Sequence, residues 1–254
     1  MRFLGKEYDG TGVTIAIIDS GVNVDDPRLK GMTIDGWSIE LGATGHAMLR
    51  PEFHDEHGHG TEIATAVAAI APGCRIVAVK IMGKKLRTSA ELMAAGIETA
   101  ARNGAHVINL SLGTPNMGKA LLLRECCAQA VDMGAVVLAA AHPQGERAYP
   151  ADLPETVGVT SDPKCPADRF FYFDPGRFPR KTWPALTDKF LAYGHTDVRG
   201  SKQRARYRGS GIATAYMSAY VACLRQARPR LDAHETLEGL RTRALTPMPE
   251  VGYA

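Results

Sequence analysis

The run Val13-Thr14-Ile15-Ala16-Ile17-Ile18, closed by Asp19-Ser20-Gly21, constrains the fold more than any other stretch of this chain. Its residues are apolar or β-branched and leave no polar face, so the segment reads as a strand covered on both sides, as in a parallel sheet between helices. Strands of the same kind are expected over 75–81, 107–112 and 135–140, with helical segments over 60–70, 89–103 and 119–133 between them. Ser89 stands at an N-cap position, and Gly104 lies just past the end of that helix. Strand and helix alternating in this way give an α/β fold with a mostly parallel central sheet and helices on both faces. A small-residue helix over 212–226 and an amphipathic one over 233–243 close the chain.

The 254 residues suit one such domain, 1–254, in which 163–208 form a divergent, loop-rich stretch broken by a short apolar piece over 190–193. With 45% apolar and 22% charged residues the composition is that of an ordinary globular protein, and no apolar run is long enough to span a bilayer. The start, Met1-Arg2-Phe3-Leu4-Gly5-Lys6, lacks the apolar core of a secretory signal, which reads as cytoplasmic. Five cysteines, two of them adjacent at Cys126-Cys127, read as free thiols rather than a disulfide framework. The net charge of +3 is too small to imply nucleic acid. Nor does the basic run Arg199, Lys202, Arg204, Arg206 and Arg208 carry a recognisable reading module, and most of the nearby aromatics lie upstream of it.

Asp19 ends a central strand, where ligand chemistry gathers in open α/β sheets. His59-Gly60-Thr61 opens the helix over 60–70, Asn109-Leu110-Ser111-Leu112-Gly113 leaves a later strand, and Gly209-Ser210-Gly211-Ile212-Ala213-Thr214 opens the helix over 212–226. Together with Tyr149-Pro150-Ala151, Arg228-Pro229 and Leu240-Arg241, these motifs in this order resemble the subtilisin-like serine peptidases over almost the whole chain. The resemblance implies a three-layer sandwich in which Asp19 orients His59, and His59 takes a proton from a serine hydroxyl attacking a peptide carbonyl. It implies a cleft that pairs an extended peptide between Lys85-Leu86-Arg87 and Ser111-Leu112-Gly113 by main-chain hydrogen bonds.

Two departures bear on activity. Glycine stands at the nucleophile position, Gly211, so no acyl-enzyme forms there. Recruiting Ser210 instead is unattractive, because adjacent positions at a helix start differ by ~100° about the axis. Pro143 stands where the family offers an asparagine donor to the oxyanion, and proline has no donor; His142 is a candidate substitute, or a loop histidine facing solvent. The chain is thus expected to be a peptide-binding pseudopeptidase, or else an active peptidase represented with its serine replaced. Lys84, Lys85 and Arg87 make one cleft wall basic, which suits an acidic peptide, although solvated loops explain the same charges. A non-catalytic metal or interaction module is a third reading: His54-Asp55-Glu56-His57-Gly58-His59 is dense in ligand types, but short clusters of this kind are usually polar loops, and no metal or cofactor is expected. Family resemblance alone leaves calcium open, with no motif behind it. Phe170-Phe171-Tyr172-Phe173, Phe178 and Trp183 form either a docking patch or the plug of a satellite core.

Overall fold

The structure is a computed structural model that describes residues 2–3, 6–42, 46–142, 144–162, 164–166, 168–173, 189–195 and 208–244. The short strands β1 (Arg2–Phe3) and β2 (Lys6–Glu7) pair antiparallel at the start of the chain. The following elements are β3 (Thr14–Asp19), β4 (Thr33–Leu41), β5 (Ala47–Arg50), α1 (His59–Ile70), β6 (Arg75–Lys80), α2 (Ala90–Arg102) and β7 (Val107–Leu110). After them come α3 (Ala120–Asp132), β8 (Val136–Ala140), β9 (Val157–Ser161), β10 (Phe170–Phe173), β11 (Lys189–Ala192), α4 (Ser210–Ala227) and α5 (Ala233–Arg241). The described strands β3–β11 form one nine-stranded sheet in the order β10-β11-β9-β8-β7-β3-β6-β4-β5. The pairs from β11 to β4 are parallel, while β10 and β5, the two edges, run antiparallel to their neighbours.

β3 lies mid-sheet, and its side chains alternate between two cores. Ile15 and Ile17 pack with residues of α1 and α4, whereas Ala16 and Ile18 pack with residues of α2 and α3. Each fully buried isoleucine contributes about 1.5–3 kcal/mol through the water it excludes. Ser89 caps α2, its hydroxyl accepting the Leu92 N–H at 3.2 Å. Asp232 and Glu235 cap α5 reciprocally, each side chain accepting the other's backbone N–H. Helix α4 is buried along almost its whole length, from Ser210 and Ile212 to Arg225.

The expected α/β sandwich is therefore what the chain forms, with three local corrections. The strand expected over 107–112 ends at Leu110, because Ser111 and Leu112 leave the sheet to form a half-buried rim. Strands β4, β5 and β9 add to the sheet beyond the runs read from sequence. Within 163–208 the short apolar piece over 190–193 falls largely in β11, which joins β9 in parallel, while the aromatic run ahead of it forms β10, a strand not read from the sequence. Phe170 and Phe173 are buried and belong to the main sheet rather than to a satellite plug; Phe170 packs its ring 5.9 Å from Phe190 and 5.1 Å from Tyr220. Phe178, Trp183, Arg199, Lys202, Arg204 and Arg206 lie outside the described residues.

Candidate active site

Parallel strands β3, β6, β7 and β8 deliver their C-terminal ends to one edge of the sheet, and the chemistry gathers there. Asp19, fully buried, ends β3, and its Oδ1 accepts the Ser20 N–H at 2.7 Å. His59 begins α1, and its Nδ1 lies 2.8 Å from the same Oδ1. With the carboxylate holding the Nδ1 proton, the neutral imidazole keeps Nε2 as its acceptor, the state a general base needs. Burial pushes the His59 pKa down; the Asp19 hydrogen bond and the charges of Asp19, Asp55 and Glu62 outweigh it and leave the value above the ordinary 6.5.

Backbone contact makes this pairing feasible. A Cβ on Gly60 would collide with the Gly21 carbonyl oxygen, and one on Gly21 would collide with the Phe53 carbonyl. Only glycine at both positions lets the start of α1 settle on the loop after β3. Gly211 completes the arrangement in a different sense. A Cβ built there would lie 3.8 Å from His59 Cε1, the ring carbon between the two nitrogens, and 3.2 Å from both Cβ and the carbonyl oxygen of Ser111. Position 211 therefore faces the histidine, but carries no hydroxyl. Ser210 turns elsewhere: it is buried, with its hydroxyl 3.5 Å from that of Thr160.

The rim residues are tied to this centre. The Ser111 hydroxyl donates to the Gly211 carbonyl at 3.1 Å and accepts Asn109 Nδ2 at 2.9 Å. Beyond exposed Gly113, Thr114 exchanges two backbone hydrogen bonds with Tyr149, at 2.9 and 2.8 Å. On the other rim Lys85 and Arg87 are exposed, while Leu86, at φ 48°, packs into the core shared by α2 and α3. Lys84, also exposed, lies 3.9 Å from Glu56. An open hollow of about 860 Å³ adjoins this rim, lined among others by Glu40, Arg50, His54, Glu56, Lys80 and Met82. His142 is half-buried two residues past β8, where its carbonyl accepts the Gly145 N–H at 3.0 Å; Pro143 lies outside the described residues.

The ligand-rich stretch before His59 does not assemble as a metal centre. Among the described residues no group of three or more His, Cys, Asp or Glu side chains is placed to hold an ion. His57 and His59 do not share an extended face, since His57 lies in a bend and His59 in the helix. Asp55 instead turns inward onto backbone N–H groups and hydroxyls, a role its sequence neighbourhood hid behind other titratable residues. The signal that could have found it is an aspartate four residues before a helix-opening histidine whose N-cap is Gly58, which has no side chain to cap with.

An aspartate–histidine pair at the carboxyl edge of a parallel sheet, facing the first turn of a buried helix, defines a peptidase scaffold of the subtilisin type. The chain belongs to the Subtilase family, whose model matches residues 10–248. It is 28% identical over 240 residues to Subtilisin BL of Lederbergia lenta, covering 87% of this chain and 78% of that protein. It is likewise 28% identical over 240 residues to M-protease of Shouchella clausii (strain KSM-K16), where the match covers 87% of this chain but 56% of the relative. Among solved structures, Sphericase superposes with a TM-score of 0.73 at 21% identity, over 94% of this chain and 84% of that one. No helix among the described residues is long and apolar enough to cross a membrane.

Proposed function

We propose that this subtilisin-like domain binds an extended peptide between the rims at 85–87 and 111–113 and cleaves it poorly or not at all. The observation that carries the reading is the missing hydroxyl at Gly211, whose Cβ position faces His59 Cε1 at 3.8 Å. Without a nucleophile, catalysis falls back on binding and oxyanion contacts, which in a subtilisin leave ~10³–10⁴-fold over the uncatalysed rate. Pro143 removes a donor from that remainder. Main-chain pairing with a peptide does not depend on the nucleophile and survives its loss. The exposed Lys84, Lys85 and Arg87 support an acidic peptide as the occupant.

One observation favours a second reading, an active peptidase represented with its serine replaced. Asp19 and His59 remain joined at 2.8 Å in the geometry a general base needs, although nothing at position 211 uses it. The five described cysteines are free and buried, which supports action in a reducing cytoplasm. Calcium is proposed for neither reading.

Restoring Gly211→Ser and assaying casein and acidic peptides beside the parent chain separates these readings. Hydrolysis only in the revertant, abolished by His59→Ala, supports a replaced nucleophile. Peptide binding without hydrolysis in either form supports the pseudopeptidase, and absence of binding in both overturns both.

A further inference from the structure

Helix α1 starts without a side-chain cap, because its N-cap is Gly58. The orphan N–H groups of a first turn need acceptors, and here one carboxylate accepts two of them, those of Gly58 and Thr61, and that of His57 just before the helix. Asp55 Oδ1 accepts the His57 N–H at 3.0 Å and the Gly58 N–H at 2.8 Å, and Oδ2 accepts the Thr61 N–H at 2.8 Å. Two hydroxyls complete its shell, Ser20 at 2.9 Å and Thr61 at 2.6 Å. The remaining amide next to His59, that of Gly60, donates to the Ser20 hydroxyl at 3.0 Å. Residues 57, 58, 60 and 61 are thus held on both sides of His59 by Asp55 and Ser20, and Ser20 is the residue after Asp19. Asp55 is itself buried, at 6% exposure, so its charge has little water to turn to.

We propose that Asp55 is a positioning residue: it locks the first turn of α1 to the segment following β3 and so fixes the His59 ring against Asp19. The role concerns the placement of the histidine and holds whether or not position 211 carries a nucleophile. The side chain suits it well. A carboxylate is acceptor-only, and all five of its neighbours are donors; an asparagine would point an NH₂ at some of them. A negative charge is also favourable at the positive end of the helix. Asp55 is among the charges that raise the His59 pKa, with Asp19 and Glu62, so its loss removes a charge as well as an anchor. The two effects are separable, because glutamate keeps the charge but moves the carboxylate by one methylene.

Proton NMR of the full chain tests this through two His59 signals, the downfield Nδ1 proton bonded to Asp19 and the Cε1 proton that reports titration, both assigned by their loss in His59→Gln. In folded Asp55→Asn the Nδ1 resonance should disappear through exchange, and the His59 midpoint should fall toward the ordinary 6.5. In Asp55→Glu the Nδ1 resonance should also be lost despite the retained charge. Persistence of that resonance in either folded variant overturns the proposal. Should both fail to fold by circular dichroism, Thr61→Val, which deletes the hydroxyl that donates to Asp55 and accepts the Asn23 N–H but removes no charge, carries the test. Its Nδ1 proton should exchange faster than in the parent, and an unchanged exchange rate overturns the proposal.

Discussion

The Ser218 hydroxyl lies 3.0 Å from Asn109 Oδ1, which joins the interior of α4 to β7. The other end of the same amide donates to Ser111, and Ser111 donates to the Gly211 carbonyl. A buried polar chain therefore connects the middle of the sheet to the first turn of α4 and to the cleft rim. Asn109 is fully buried, and removing its side chain costs the Ser218 and Ser111 hydroxyls one partner each, leaving them the Thr214 and Gly211 carbonyls. Asn109→Ala should lower stability by about 1–3 kcal/mol, read from urea denaturation, and should speed amide exchange at Ser111 and Leu112. A loss within the scatter of surface substitutions would show that the chain of bonds has no structural weight.

Gly60 tests the backbone contact behind the aspartate–histidine pair. In Gly60→Ala the new methyl meets the Gly21 carbonyl, and backbone cannot swing aside as a flexible side chain does. The expected loss is about 1–3 kcal/mol or more, accompanied by loss of the Nδ1 proton resonance of His59. A variant as stable as the parent, with that signal intact, would mean that the two loops yield more easily than their packing implies.

Protonation linkage sets opposite slopes on the two sides of neutral. For His59, burial opposes the charged form but Asp19, Asp55 and Glu62 prevail, so the folded pKa lies above 6.5. Its stabilising contribution is complete below pH 6.5 and is lost as pH rises through the folded value. For Asp55, burial raises the pKa, but hydrogen bonds from Thr61, Gly58 and Ser20 carry it below 3.8. Its contribution is present above pH 3.8 and disappears as pH falls through the folded value. Denaturation midpoints across pH should therefore lose part of their alkaline slope in His59→Gln and part of their acid slope in Asp55→Asn. Parallel curves for parent and variants would contradict both assignments.

Replacing the nucleophile alone should not restore a full catalyst. If Gly211→Ser hydrolyses casein, adding Pro143→Asn should raise kcat further by roughly 10²–10³, the effect found when a subtilisin loses its asparagine donor, with little change in KM. Equal rates for single and double variants would show that another group, His142 included, already supplies the donor.

Much of this was legible in the chain because the central strands are covered on both faces. β3 and β8 read directly from unbroken apolar runs, and the small residues of α1 announced a helix packed close to backbone. β4 did not, since it lies toward an edge, is mostly half-buried and carries Asp35, Gly36 and Glu40 among its apolar residues. β10 was hidden because four consecutive aromatics lack a period of two; Phe170 and Phe173, three apart and so on opposite faces of the sheet, are both buried, which shows that neither face is left open along the strand. In the site, Asp19, His59 and Gly211 could be named from ordered motifs. Asp55 is passed over among the titratable residues around it, and its five donors single it out.

The burial of α4 reaches beyond stability. Its first turn is seated by the core behind it, including Ile212, Ala213 and Thr214, so the location of residue 211 is settled by contacts that never touch a substrate. Chemistry at this point is an insert in a socket the rest of the molecule maintains, and the Ser111 rim need give only a few tenths of an ångström to admit a side chain. Such a chain can lose or regain a reactive group in one codon change without having to learn to fold again.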